Sequence, residues 1–172
     1  MPSTYTLIKG ETLASDVASY TFSAIAADWT DLVIRCSTRN AQSSNYPAIM
    51  RVRFNSDTSL IYSGTYVYGQ DGTAGSFNES NADRIGAYGS NGNTSTSNTF
   101  SNIEIYIPSY LASQNKPVSV SGVAENNAAN FGIVAASAGL YRSTTAITSI
   151  TLSNVNNLLT GSSFYLYGIK KS

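Results

Sequence analysis

The chain has 172 residues, with ten acidic and ten basic side chains, no histidine and one cysteine. This length fits one domain with its own hydrophobic core, and a net charge of zero removes the electrostatic attraction that nucleic acid or an anionic membrane would exert. The absence of histidine excludes histidine-dependent triads and histidine-ligated metals, while the lone Cys36 excludes an intrachain disulfide and a cysteine-ligated metal.

Hydroxyl and amide side chains dominate the composition. Serine, threonine and asparagine occur 27, 17 and 16 times, and charged residues make up 12% of the chain. An average soluble domain has roughly 25% charged residues. Amphipathic helices need polar and charged side chains on their solvent face, so this composition argues against a protein with several surface helices.

Apolar residues recur with a two-residue period in short segments, which is typical of strands with one buried face. Clusters of Ser, Asn, Gly and Thr separate these segments. The pattern predicts ten strands, at residues 5–8, 17–25, 32–39, 48–55, 61–68, 100–108, 118–125, 131–141, 147–152 and 164–169. Because β-branched and aromatic residues are frequent in them, the sequence predicts an all-β domain.

The alternation also assigns strand faces. Met50, Val52 and Phe54 are predicted to face the core, and Arg51 and Arg53 to face outward. The other residues predicted to face inward are Leu32, Ile34, Cys36, Ile103, Ile105 and Ile107. Cys36 is therefore interpreted as a small buried hydrophobic residue.

Residues 70–99 interrupt the regular spacing of the predicted strands. This segment of about thirty residues is rich in Gly, Ser, Asn and Thr, and its strand-like stretch covers residues 83–88. Loops of that length in compact domains are usually functional or disordered. We therefore interpret 70–99 as a long surface excursion.

Residues 1–172 are interpreted as a single domain, because no linker or repeat divides them. About ten short antiparallel strands must close on themselves or form two packed sheets to avoid open edges. The low charge leaves few lysines to protect such edges. We expect an antiparallel, jelly-roll-like β-sandwich of about ten strands that covers its edges by self-association about a symmetry axis.

Acidic residues form two candidate constellations. A glycosidase needs two carboxyl groups about 5–10 Å apart, and calcium prefers a set of carboxylate and amide oxygens. The carboxylates considered for hydrolysis are Asp28, Asp31, Asp57, Glu104 and Glu125, and the oxygen donors considered for calcium are Asp71, Asn78, Glu79, Asn81 and Asp83. The first set fits turn and solvent-facing strand positions, and the second does not match an EF-hand. We expect neither an enzyme nor a metal or other cofactor.

Tyrosine is unusually frequent, with twelve copies. Tyr62, Tyr66 and Tyr68 lie on one predicted strand, and Arg51 and Arg53 face outward on another. Tyrosine is enriched at interfaces because it gives a large contact area at a low entropy cost, and arginine pairs well with a neighbour's carboxylates. These five residues are the candidate interface. The alternative, with tyrosines packed within the sheet and solvated arginines, stays open.

Residues 1–4 lack the basic and apolar regions of a signal peptide. No run of apolar residues approaches the 18 or more that span a bilayer. We expect a protein that is made in the cytoplasm and binds neither membrane nor nucleic acid.

Five sequence blocks extend from near the N-terminus to the last residues. They are ADWTDLVIR at 27–35, RFNSD at 53–57, IEIYIPSY at 103–110, AITSITL at 146–152 and GSSFYLYGIK at 161–170. Together they resemble a family of bacteriophage virion proteins, among them structural proteins of aquatic phages, including cyanophages. These blocks are strands, so the resemblance concerns a lineage and implies no catalytic residues.

The resemblance implies a non-enzymatic structural protein located in the virion and made in the bacterial cytoplasm. We expect a capsid decoration or cement protein, a homotrimer that binds the major capsid protein on the head surface. The alternative is a receptor-binding or glycan-binding module on a tail appendage, in contact with tail proteins, with residues 70–99 as its tip.

Overall fold

The structure is a computed structural model that describes residues 4–43, 47–127 and 132–170. These residues contain twelve antiparallel strands and no helix. The strands are β1 (Tyr5–Thr12), β2 (Val17–Phe22), β3 (Asp31–Ser37), β4 (Ala48–Phe54), β5 (Tyr62–Gln70), β6 (Thr73–Ala82), β7 (Ile85–Ser90), β8 (Asn102–Ile107), β9 (Lys116–Ala124), β10 (Ile133–Tyr141), β11 (Ile150–Leu158) and β12 (Ser163–Ile169). Within these described ranges, no helix is long and apolar enough to cross a membrane.

Two sheets of unequal size form a sandwich. The larger sheet has the order β1-β12-β3-β8-β9-β10-β5-β6, and the smaller has the order β2-β11-β4-β7. The predicted all-β, antiparallel sandwich is confirmed, and its jelly-roll connectivity is considered below. All ten predicted strands have a counterpart, although residue 131, the predicted start of one, lies outside the described residues.

One hydrophobic core lies between the sheets. Met50, Val52 and Phe54 are fully buried, as their alternation with Arg51 and Arg53 predicted. The other predicted inward residues, Leu32, Ile34, Cys36, Ile103, Ile105 and Ile107, are buried in the same cluster. Burial raises the pKa of the Cys36 thiol well above its ordinary value, so this cysteine is a core residue.

The interpretation of residues 70–99 as a surface excursion is wrong for most of the segment. β6 pairs along its length with β5, and the turn between them consists of Asp71 and Gly72, both with positive φ. An Asp-Gly pair with both residues in that conformation forms a two-residue type I′ hairpin turn. β7 pairs with β4 in the smaller sheet, and most of its residues are buried.

The rest of that segment is held by Arg39, a residue with 9% exposure. Its guanidinium donates hydrogen bonds to the backbone carbonyls of Asn93, Ser95, Thr96 and Thr99, at 2.7–3.2 Å. The planar fork of arginine suits such multiple recognition. Residues 93–99 are therefore an ordered turn around one buried cation.

Beyond β8, the larger sheet continues through β9, β10, β5 and β6, an extension of four strands. β7 covers part of this extension, and it lies so close to β9 that a Cβ at Gly122 would come within 1.9 Å of the Tyr88 carbonyl oxygen. Glycine is required there for the two backbones to approach. The other side of the extension is left open.

Candidate interaction surfaces

Tyr62 was predicted to belong to an interface, and the structure places it in the core. Its ring is fully buried and stacks on Tyr141 with centroids 4.8 Å apart. The hydroxyl accepts a hydrogen bond from the Phe54 amide and donates one to the Asp57 carbonyl, each at 3.1 Å. The prediction was wrong because the tyrosine side of β5 faces the smaller sheet.

Tyr66 is also buried, at 1% exposure, and is not available to a partner. It stacks on Phe77 of β6 at 4.4 Å and contacts Tyr88 of β7 at 5.6 Å. Tyr68 stacks on Tyr88 at 6.1 Å and is half-buried. These four rings, here called the aromatic cluster, pack between β7 of the smaller sheet and the β5–β6 hairpin of the larger sheet.

The Tyr66 hydroxyl is positioned by two partners. It accepts a hydrogen bond from the Gly86 amide at 3.1 Å and donates one to Glu79 at 3.2 Å. Burial raises the pKa of Tyr66, so the hydroxyl stays protonated and keeps both bonds. The aromatic cluster thus has a structural role within the chain.

Arg53 was predicted to pair with a neighbouring subunit, and it pairs with Asp83 of its own chain instead. Arg84 also binds Asp83, at 2.9 Å, and Glu79, at 3.0 Å. Although burial opposes ionisation, the hydrogen bonds from Arg84 and Arg53 hold the pKa of Asp83 below its usual range. Arg51 lies half-buried on the outer side of β4 and remains a candidate surface residue.

An uncharged outer surface forms on β9, β10, β5 and β6. Its residues have small or β-branched side chains, and each residue is more than one third exposed. They are Thr65, Val67, Gly69, Ala74, Ser76, Asn78, Ser119, Ser121, Val123, Val134, Ala136 and Ala138. We call this surface the small-residue face. The strand register aligns the residues of this face in rows across the strands, and one such row consists of Ser121, Ala136 and Val67. Lys116 and Glu79, the charged residues of these four strands, lie on the opposite face.

Three valines give the small-residue face an apolar character. Val67 is 53% exposed, Val123 41% and Val134 65%. A depression of about 490 Å³ runs between β8 and β5, with Ala136 and Ala138 at its floor and Tyr106 and Glu104 at one side. Exposed apolar side chains grouped on one face make that face a candidate interaction surface.

Polar and aromatic side chains border this face on β3, β8 and β12. Arg35 pairs with Glu104 at 3.0 Å, and its guanidinium lies 6.0 Å from the Tyr167 ring centroid. Tyr106 donates a hydrogen bond to Asp31 at 2.9 Å. The border therefore supplies hydrogen-bonding groups beside the apolar floor.

The acidic residues considered for catalysis have separate local roles. Asp31 accepts bonds from Tyr106 and the Ser109 amide, and Glu125 accepts from the amides of Asn126 and Asn127. Asp57 accepts bonds from Ser59 and Tyr141. Glu104 pairs with Arg35.

The oxygen donors considered for calcium do not converge either. Asp71 lies at the β5–β6 turn, while Glu79 and Asp83 bind arginines near the other end of β6. In the part of the chain that the structure describes, no group of three or more acidic, cysteine or histidine residues is arranged to hold a metal ion.

No model of a known protein family matches the chain, and no curated protein sequence matches it.

Proposed function

We propose that this protein is a structural component of a bacteriophage virion, a decoration or cement protein that forms homotrimers and binds the outer surface of the capsid. The observation that carries the proposal is the strand order. Two further features support it, namely the small-residue face and the resemblance of five sequence blocks to phage virion proteins.

The strand order fits a jelly roll with two insertions. In an eight-stranded jelly roll the chain alternates between two sheets of four strands, ordered first-eighth-third-sixth and second-seventh-fourth-fifth. If β5–β6 and β9–β10 are set aside as inserted hairpins, eight strands remain, ordered β1-β12-β3-β8 and β2-β11-β4-β7. Counted from first to eighth in chain order, these eight strands have the order of a jelly roll. Jelly rolls are a common architecture of viral capsid domains and of lectins.

The inserted hairpins provide the surface for self-association. They supply the strands of the small-residue face, which has exposed valines and no charged side chain. Small side chains let two sheets approach closely, and no charge has to be desolvated. We therefore place the threefold contact on this face and the capsid contact elsewhere on the trimer.

Binding to the assembled shell explains how such a protein would act. A ligand that binds one state of an assembly stabilises that state by mass action. A trimer that binds only neighbouring capsid proteins in the complete shell would therefore oppose shell opening. Few surface charges also mean that salt has little effect on the contacts.

The surface is tested first with purified protein. Val67→Lys places a charge in the small-residue face at a valine that is 53% exposed, and the control Val155→Lys changes a more exposed valine, at 73%, on β11. Sedimentation analysis should show threefold association of the 18.3 kDa chain for the wild type and Val155→Lys, and loss of that association for Val67→Lys. A monomeric wild type would overturn the trimer, and equal masses for both variants would move the contact off this face.

The role in the virion is tested with phage particles. Quantitative mass spectrometry should find hundreds of copies per virion, comparable to the major capsid protein, and particles without the protein should release DNA at a lower temperature. Absence from the particle would refute a virion role. Unchanged heat tolerance would refute cementing.

A second candidate function is recognition of host glycans on a tail appendage. The observation that favours it is the depression beside Tyr106 and Glu104, where an apolar floor lies next to hydrogen-bonding groups. Glycan sites combine such surfaces. Tyr106→Ala should then abolish binding of the pure protein to host polysaccharide, and a virion count of a few dozen copies would agree. No polysaccharide binding by the wild type would reject this function.

A further inference from the structure

β6 presents an open edge of the larger sheet. It is the longest of the twelve strands, with ten residues, and it ends the sheet order. Its pairing with β5 is regular from Thr73 to Glu79. A strand with one free edge exposes a row of backbone donors and acceptors that another strand can bind.

The other strands at sheet ends carry features that hinder such pairing. β1 contains Lys9 and Glu11 and has a register shift between Leu7 and Lys9. β2 and β7 have six residues each and pair irregularly with their neighbours. Short, bulged or charged edges are the usual means of avoiding association, and β6 lacks lysine, arginine, proline and a central bulge.

The hairpin turn determines which backbone groups of β6 are free. In a two-residue hairpin the flanking pair, here Gln70 and Thr73, exchanges both hydrogen bonds. Hydrogen-bonded and non-bonded pairs then alternate along the strands. The amides and carbonyls of Ala74, Ser76 and Asn78 therefore point to the open edge, while those of Gly75 and Phe77 bind β5.

We propose that β6 pairs antiparallel with β6 of a second copy, about a twofold axis perpendicular to the sheet and passing next to Phe77. The proposal goes beyond the threefold contact above and does not depend on it. If both contacts exist, trimers are linked to one another through β6.

A second copy fits this edge because β6 is self-complementary. A twofold axis at Phe77 pairs Ser76 with Asn78 of the other copy, so that small polar side chains meet on the small-residue face. On the opposite face the two Phe77 rings become cross-strand neighbours, which stabilises antiparallel pairs, and each already stacks on Tyr66 at 4.4 Å. The two sheets then form one continuous sheet.

Charge does not oppose this pairing. Glu79 is the charged residue of β6, and it is bound to Arg84 of its own chain at 3.0 Å. In the proposed register it lies across from Gly75 of the second copy rather than from another carboxylate. No like charges are brought together.

Amide hydrogen exchange of the wild-type protein tests the pairing directly. The amides of Ser76 and Asn78 should exchange rapidly in dilute protein and become protected as the concentration rises, whereas those of Gly75 and Phe77 should be protected at every concentration. The proposal would be overturned if the protein associates over a range of concentration in which the exchange protection of the Ser76 and Asn78 amides does not change.

A proline variant tests it independently. Asn78→Pro removes one edge donor per copy, two per twofold contact, and leaves the bonds to β5 intact; the control Asn78→Thr keeps the donor. At about 1 kcal/mol for each lost bond, the twofold dissociation constant should rise about thirtyfold for Asn78→Pro and stay near the wild-type value for Asn78→Thr. Equal constants for Asn78→Pro and the wild type would contradict the pairing.

The two proposals fail in different ways. If Val67→Lys no longer forms trimers but still forms the twofold contact, both contacts exist and use separate surfaces. If the wild type forms only dimers that Asn78→Pro dissociates, the β6 pairing stands and the trimer is wrong. If Asn78→Pro does not fold, Phe77→Cys decides: Cys36 is buried, so a disulfide-linked dimer under mild oxidation supports the register, and its failure to form refutes it.

Discussion

Replacement of Arg39 by methionine tests whether one guanidinium holds residues 93–99 in place. Its two terminal nitrogens donate to four carbonyls, at 2.7 Å for Ser95 and Thr96, 2.9 Å for Asn93 and 3.2 Å for Thr99. Methionine retains an aliphatic side chain but has no donor. All four carbonyls would therefore lose this partner.

The expected loss of stability follows from the exposure of these carbonyls. Ser95 is buried, so its unpaired carbonyl costs about 1–3 kcal/mol. The other three residues are exposed or half-buried, and water can replace the arginine at about 0.5–1.5 kcal/mol each. Added together, these costs are about 2.5–7.5 kcal/mol. Hydrogen bonds from one side chain are not additive, and removal of a buried charge is itself favourable. We therefore expect Arg39→Met to lower the free energy of unfolding by about 3 kcal/mol.

Urea unfolding followed by the fluorescence of Trp29, the single tryptophan, measures this loss. The matched control is Arg35→Met, since Arg35 forms an ion pair in which both side chains are about half exposed. Such pairs contribute at most about 1 kcal/mol. Proteolysis within residues 93–99 should also become faster in Arg39→Met alone.

The reasoning is refuted if Arg39→Met unfolds at the same urea concentration as Arg35→Met. That result would mean that residues 93–99 keep their conformation without the arginine. A fall in stability without faster proteolysis in this segment would instead show that Arg39 acts through its stem in the core.

Three further predictions concern other parts of the fold. Gly122→Ala should lower the free energy of unfolding by about 1–3 kcal/mol, because the added methyl group overlaps the Tyr88 carbonyl and β7 must move. Asp83 has a lower pKa in the folded protein than its ordinary value of 3.8, so the stability that it contributes should be complete above pH 3.8 and be lost as the pH falls through the folded pKa. Asp83→Asn should weaken this dependence of stability on pH. Cys36 should not react with a thiol reagent until the protein unfolds, because its thiol is buried and its pKa is raised.

Each of these has a control and a contrary result. The control for Gly122→Ala is Gly69→Ala, whose added methyl group meets no atom within 4 Å and should change stability by less than about 0.5 kcal/mol. If the two variants lose the same stability, overlap with the Tyr88 carbonyl is not the cause. An unchanged acid dependence in Asp83→Asn, by denaturant unfolding at several pH values, would show that the Arg53–Asp83–Arg84 cluster does not stabilise the fold. Reaction of Cys36 in native protein at the rate of a free thiol would contradict its burial.

Much of the fold could be predicted because burial leaves a two-residue period in the sequence. Met50, Val52 and Phe54 alternate with arginines, and Cys36 lies in an apolar strand; both patterns were interpreted correctly. β6 was missed because Phe77 is its single large apolar residue, so it has no hydrophobic period. The Asp71-Gly72 pair is the one local signal for this strand, since Asp-Gly predicts a two-residue hairpin turn.

The candidate interface was predicted less well, for a reason in the tertiary structure. Alternation shows that Tyr62 and Tyr66 share a face of a strand, but not whether another element covers that face. β4 and β7 cover it here, so the tyrosines are internal and the small side chains of the opposite face are exposed. Arg39 gave no signal, because its four acceptors are backbone groups more than fifty positions away in the chain.

The sequence by itself determined that the protein is built of strands, which residues of most strands share a face, and that neither an intrachain disulfide nor histidine chemistry is available. These properties follow from local alternation and from composition. Only the tertiary structure decided that the sheets have eight and four strands and that β6 is left with an open edge. Strand partners are chosen by contacts between residues far apart in the chain, and those contacts leave no periodic pattern in the sequence.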